Sequence, residues 1–273
     1  MPRFFVRLHH AGWTASQLAA VRDAAERSGF DGLSLYDVPS RPALECWTTL
    51  AHLLGASNRL VGVPLVLANP LRHPALTAKM AWDLNDLTGG RVVLGLGAGG
   101  APEDLRAYGL PDAGLLTRLG QLHEALALTR WLFSGERVDH RGPHYQVEGL
   151  QLGGTGPPPP ILVGGHGARL LEIAARLADA VNVGFDLGPE DWRSLRERLG
   201  GIRRQSRPDA ERLLLTHNAS VRAGTGRGLE PHVAALRDLR AAGVDWFFCV
   251  FEDLPATDLL ERFGREVLPA VRA

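Results

Sequence analysis

The chain alternates short, continuously apolar runs with longer stretches whose apolar residues recur at three- and four-residue spacing. Eight short runs, at residues 3–8, 32–36, 60–66, 92–96, 160–164, 180–184, 213–221 and 244–250, read as strands. Each is rich in Val, Leu, Ile or Phe, as expected for parallel strands covered on both faces. Between them, Thr14 caps a predicted helix on which Leu18, Val21 and Ala25 recur at helical spacing, and Gly29 ends it. Pro74 opens a predicted helix over 74–87 that Gly89-Gly90 terminates, and Pro189 opens one through Leu199. A last helix begins near Ala256.

Strands alternating with helices, without a linker, predict an α/β domain spanning 1–273. A closed (β/α)8 barrel, the TIM-barrel arrangement, accommodates eight such units directly. The alternative is a doubly wound open sheet, whose first turn usually carries a glycine-rich loop. Here that turn is His9-His10-Ala11-Gly12, which favours the barrel. Residues 136–159 break the rhythm. They predict an excursion before strand five, with a short hairpin and a Pro-rich approach, either a functional loop or a plain surface insertion.

Composition narrows the function classes. The 273 residues are 45% hydrophobic and 22% charged, with a formal net charge of zero. This balance favours neither nucleic acid nor an acidic membrane surface as partner. The basic residues are almost all Arg, with Lys79 the single Lys. Cys46 and Cys249 lie far apart in apolar stretches and read as buried thiols. No CxxC or Cys/His cluster suggests a metal. The N-terminus lacks a long apolar segment and no run of about 20 apolar residues occurs. A cytoplasmic protein is therefore expected. Trp47, Trp82 and Trp131 fall on predicted helices and read as packing residues.

In a barrel the chemistry sits at the C-terminal strand ends. Three stretches there stand out. In ILVGGHGARLLEIAARLAD, a strand runs through Gly164, Gly165, His166 and Gly167 into a helix. Backbone N–H groups and the helix N-terminus could hold a phosphate there, with Arg169 nearby; a tight turn is the alternative. In RVVLGLGAGG, residues 91–100, alternate glycines leave room either for a flat ring or for a packed neighbour. In VPLVLANPLRHP, Arg72 and His73 either anchor the loop or face the site. No Walker, zincin or GxSxG motif is present.

The segments LANPLRHPALTAKMAWDLNDLTGGRVVLGLGAGG, HYQVEGLQL and PPILVGGHGARLLEIAARLADAVNVGF, in this order, resemble the luciferase-like monooxygenases and their deazaflavin-dependent relatives. RSGFDGLSLYDV resembles the family's second strand. The resemblance covers most of residues 12–185. It implies a (β/α)8 barrel that binds coenzyme F420 or, alternatively, reduced FMN, and acts as an oxidoreductase on a small-molecule substrate. It places the cofactor phosphate at Gly164, Gly165, His166 and Gly167. The ring would lie near Leu65, Val66, Gly97, Ala98 and Gly99, with Asn182 close by. It also implies a backbone bulge, often with a non-proline cis peptide, near Leu65-Val66-Leu67.

The departures from the family pattern are informative. The usual Asp-His pair at the end of strand two is Asp37-Val38 here, and the aromatic residue after GAG is Gly100. Asp37, Glu103 and one of His9 or His10 become the candidates for catalytic polar steering. A non-catalytic flavin- or phosphate-binding relative and an unrelated phosphate-binding barrel are the competing readings. Helices near 43–54 and 74–87 would suit a homodimer face or core packing equally.

Overall fold

The structure is a computed structural model that describes residues 1–38, 40, 42–99, 102–184, 187–222 and 228–273. Gly100 and Phe185, two of the expected strand-end positions, lie outside the described residues. Nine parallel strand segments form one sheet: β1 (Arg3–Leu8), β2 (Gly32–Leu35), β3 (Val61–Pro64), β4 (Leu67–Ala68), β5 (Leu94–Gly97), β8 (Ile161–Gly164), β9 (Ala180–Asn182), β10 (Leu214–Val221) and β11 (Trp246–Phe251). The spatial order is β3-β2-β1-β11-β10-β9-β8-β5-β4. Its two ends meet, because the Gly62 N–H donates to the Arg91 carbonyl at 2.9 Å and the Val93 N–H to the Gly62 carbonyl at 3.0 Å. The sheet is thus a nearly closed barrel. The predicted third strand is split into β3 and β4 by Leu65 and Val66, which are joined by a cis peptide bond, so nine segments make eight barrel strands.

Helices α1 (Ala15–Arg27), α2 (Cys46–Gly55), α3 (Pro74–Leu87), α4 (Pro102–Ala107), α5 (Gly114–Leu132), α6 (Ala168–Leu177), α7 (Pro189–Ser206), α8 (Glu230–Ala241), α9 (Asp258–Glu266) and α10 (Leu268–Arg272) alternate with the strands. α1 starts as predicted. The Thr14 side chain accepts from the Gln17 N–H, and the Gln17 side chain accepts from the Thr14 N–H, a reciprocal capping box. α7 runs on to Ser206 rather than ending at Leu199, because Arg203 extends the buried face of Trp192, Leu195 and Leu199. Trp131 is 42% exposed, unlike the buried Trp47 and Trp82, so it does not serve core packing.

Period-two alternation divides the strand residues between two cores. Along β1, Phe4, Val6 and Leu8 enter the layer between sheet and helices. Phe5 points instead into the barrel lumen with Val63, Leu65, Val93, Leu162, Ala180, Trp246 and Phe248. Phe5 and Phe248 stack at 4.9 Å between ring centroids. Each such buried side chain contributes roughly 1.5–3 kcal/mol. The apolar lumen gives way to polar residues toward the C-terminal mouth. Arg7, two residues beyond Phe5, and the fully buried Ser34 are paired in register there.

The excursion before the fifth barrel strand is an antiparallel hairpin of β6 (Arg137–Arg141) and β7 (Gln146–Gln151). Val138 and Leu152 at its base pack on Ala75, Ala78 and Trp82 of α3 and on Leu128 and Leu132 of α5. Among the described residues, no helix is long and apolar enough to cross a membrane. Cys46 and Cys249 are both buried and unpaired, and burial pushes both thiols up in pKa.

Candidate active site

At the mouth, the ends of β2, β4, β5 and β8 enclose a cavity of about 220 Å³. Tyr36, Asp37, the Leu65–Ala68 segment, Gly97, Ala98, Gly99 and Gly164 line it. Its floor follows from the glycines. A Cβ on Gly97 would sit 2.6 Å from Val66 Cγ2, and one on Gly164 would sit 2.7 Å from Val66 Cγ1. Neither distance is tolerable for real atoms. The alternate glycines therefore make room for a packed neighbour, Val66, and this half-buried side chain in turn presents an apolar surface to the cavity.

Asp37 is held firmly. Its side chain has no solvent exposure. Its Oδ2 accepts from the Ala68 N–H at 3.0 Å and from Arg72 Nη1 at 2.8 Å, and its Oδ1 accepts from Arg72 Nη2 at 3.2 Å. Arg72 Nη2 also donates to Glu45 Oε1 at 2.6 Å. Glu45 caps α2 by accepting from the Trp47 and Thr48 amides. Burial favours its neutral form, but the Thr48 and Trp47 hydrogen bonds and the Arg72 charge outweigh this and lower its pKa. For Arg72, burial would lower the pKa, yet Asp37 and Glu45 raise it. Arg72 is thus the loop anchor of the two roles the sequence allowed. His73 caps α3 through Nδ1, which accepts from the Ala75 N–H at 3.2 Å.

The histidines of the first turn stand behind Tyr36 rather than in the cavity wall. His10 is buried, its ring centroid lies 4.9 Å from that of Tyr36, and its Nε2–H donates to the Leu44 carbonyl at 2.8 Å. His9 is exposed, 5.7 Å from the same ring. Glu103 is exposed on α4 and is not among the residues that line the cavity.

The Gly164–Gly167 turn separates this cavity from a second one of about 660 Å³, lined by His166, Val183, Gly184, Asp191, Ser194 and Arg198 among others. Gly165 has φ +145°, and its N–H donates to the Asn182 carbonyl at 2.9 Å. Gly167, at the N-cap of α6, offers no side chain to the first-turn amides, and a Cβ there would meet open space. The helix end therefore keeps its partial positive charge uncapped by a side chain of its own N-cap. Asn182 lies below the turn. Its Nδ2 donates to Thr216 Oγ1 at 2.9 Å, and Asn218 Nδ2 donates back to its Oδ1 at 3.1 Å.

The structure thus gathers Asp37, Leu65, Val66, Gly97, Ala98, Gly99 and Gly164 on one cavity, while His166 lines the second cavity across the turn and Gly167 caps α6. Sequence reading gave no role to Tyr36, although a signal exists. Leu33 and Leu35 are outward core residues, so Ser34 and Tyr36 fall on the lumen face. It also gave none to Glu124. That carboxylate accepts from His140 Nε2 at 2.9 Å and from the His144 and Tyr145 amides, docking the hairpin on α5. Tyr145 then accepts from Asn69 Nδ2 at 2.9 Å, directly after β4.

Comparison with known proteins agrees with this geometry. The family model for luciferase-like monooxygenases matches residues 1–244. An uncharacterized protein of Mycobacterium tuberculosis is 30% identical over 224 residues, 82% of this chain and 69% of that protein. The F420-dependent hydroxymycolic acid dehydrogenase of the same organism is 34% identical over 185 residues, 64% of this chain and 50% of its own length. The solved structure of an F420-dependent secondary alcohol dehydrogenase, in complex with an F420-acetone adduct, superposes with a TM-score of 0.84 at 17% identity. That match covers 100% of this chain and 99% of the other, and shows a shared fold. With the barrel, the split third strand and the glycine turn in place, the chain belongs to the luciferase-like monooxygenase family.

Proposed function

We propose that this oxidoreductase binds coenzyme F420 and transfers hydride to or from a small organic substrate. The observation that carries the reading is the mouth itself: a Val66 floor between Gly97 and Gly164, next to an uncapped helix N-terminus. These features fit a flat ring at one end and a phosphate at the other. The choice of a deazaflavin rests on the F420 dependence of the dehydrogenase relative.

When bound, the cofactor supplies the redox chemistry, and the chain supplies position and proton transfer. Leu65 and Val66 line the cavity and would hold the ring. Gly164 to Gly167 and the first turn of α6 would hold the phosphate, with His166 and Arg198 the side chains available to it from the second cavity. Among the described residues that line the cavity, only Tyr36 and Asp37 carry side chains that can exchange a proton. Both oxygens of Asp37 are engaged, so Asp37 positions the β4 backbone. The proton passes at Tyr36 Oη, with the His10 ring packed behind it. This role takes the place of the histidine that Val38 replaces. His9 and Glu103 receive no role in the chemistry.

A second reading, flavin-dependent monooxygenation, is favoured by the description of the matching family. Titration of the protein with F420 and with FMN, each oxidised and reduced, separates the two. Tight binding of F420 alone is expected. Preference for reduced FMN with oxygen uptake would establish the second reading, and binding of neither would remove both.

A further inference from the structure

The barrel has another cavity at its opposite, N-terminal face, where α7, the 207–213 loop, the starts of β10 and β11 and the end of α8 meet. Its volume is about 930 Å³, within the size range of small-molecule sites. Leu199, Leu213, Leu215 and Val244 contribute apolar surface, while seven guanidinium groups and two carboxylates, Glu197 and Asp245, contribute charge.

Five of the arginines come from α7 and its end. Arg193, Arg196, Arg203, Arg204 and Arg207 recur at helical spacing, with Gly200 in the gap, so they share one helix face. Like charges at this spacing destabilise a helix unless something neutralises them. Part of the set is structural. Arg196 Nη1 donates to the Gly243 carbonyl at 2.7 Å, and Arg203 Nε donates to the Glu211 carbonyl at 2.6 Å. Carbonyls satisfy these hydrogen bonds but bring no counter-charge. Arg193 and Arg204 make no hydrogen bond or ion pair among the described residues.

Arg207 Nη1 is buried without a hydrogen bond. Asp179 Oδ1 lies 3.8 Å from it, but already accepts from Arg130 at 2.7 Å and stands 3.9 Å from Arg203. Three guanidiniums therefore share one carboxylate. Burial first, then repulsion from neighbouring arginines, lowers the pKa of both Arg203 and Arg207.

We propose that this cavity binds a phosphorylated organic molecule, with a polyphosphate group on the α7 arginines and its apolar part on the leucine surface. Guanidinium forks match phosphate oxygens in pairs, with charge-assisted strength. The cavity opens at the strand ends opposite the mouth, so its occupant and the redox cofactor bind without displacing one another.

Calorimetric titration with ATP and with inorganic tripolyphosphate, at constant ionic strength, tests this. The comparison is between the parent protein and the double variant Arg193→Ser/Arg204→Ser, which replaces two arginines that make no hydrogen bond or ion pair among the described residues. The parent should bind ATP more tightly than tripolyphosphate. The variant should bind ATP about tenfold or more weakly, with F420 or FMN affinity unchanged. Absence of ATP binding by the parent would overturn the proposal. Equal affinity of parent and variant would overturn it too, because the anion would then sit elsewhere, as on the Gly164–Gly167 turn. Equal affinity for ATP and tripolyphosphate would overturn its organic component.

Discussion

At the scale of single residues, the mouth is built by what is missing as much as by what is present. Gly97 and Gly164 lack the Cβ that would strike Val66, and Val66 thereby becomes the floor. Gly164→Ala should cost about 1–3 kcal/mol by overpacking. Val66→Ala in the same chain should recover most of it, because it removes the two methyl groups that clash. Urea denaturation of the two single variants and the double variant measures this coupling, and additive losses would show that Val66 is not the obstacle. Tyr36 is read differently, through its hydroxyl alone. Tyr36→Phe should lower kcat by about 10²–10⁴-fold if the phenol transfers the proton, with cofactor affinity held within about twofold. Unchanged turnover would remove Tyr36 from the chemistry.

Among elements, the β6–β7 hairpin shows how an apparent insertion is tied to the segment that follows β4 beside the site. Glu124 on α5 receives three hydrogen bonds from it, and Tyr145 passes the connection to Asn69. Burial would raise the Glu124 pKa. The His140 hydrogen bond, the Tyr145 and His144 amides and the His140 charge prevail and lower it. Ionised Glu124 therefore contributes stability that is fully present above the ordinary carboxylate value of about 4.3. The contribution is lost as pH falls through the lower folded-state value. Glu124→Gln should cost about 1–3 kcal/mol near neutral pH. The difference from the parent should shrink as pH falls below the ordinary carboxylate range, where the unfolded chain takes up the proton before the folded one. Denaturation curves across a pH series check this, and a pH-independent gap would contradict it. The hairpin was legible in residues 136–159, but its docking was not, since Glu124 lies 16 to 21 positions from its partners.

For the whole molecule, the barrel separates two faces with different chemistry: an apolar-floored cavity at the C-terminal strand ends and an arginine-rimmed one at the other. Cofactor binding to the folded state alone stabilises it by about 2.7 kcal/mol at a hundredfold excess over Kd. For a domain of this size, that raises Tm by roughly 5–10 °C. Thermal unfolding with F420 and with FMN should show the rise for the cofactor that binds, and no shift with either would count against the proposed function. The sequence alone determined the eight strands, the helix starts at Thr14 and Pro74, and the glycine turn before α6. These depend on local periodicity, capping and backbone freedom, which neighbouring residues carry. It also left both uses of the glycine run open, ring or neighbour, because the obstacle is Val66 from a different strand. Only the tertiary structure decided that Asp37 is bound by Arg72, that β4, β5 and β8 close a cavity against Tyr36, and that β10, β11 and α8 wall an opening against the arginine face of α7. Each is a contact between segments distant along the chain, and barrel closure alone sets which of them meet.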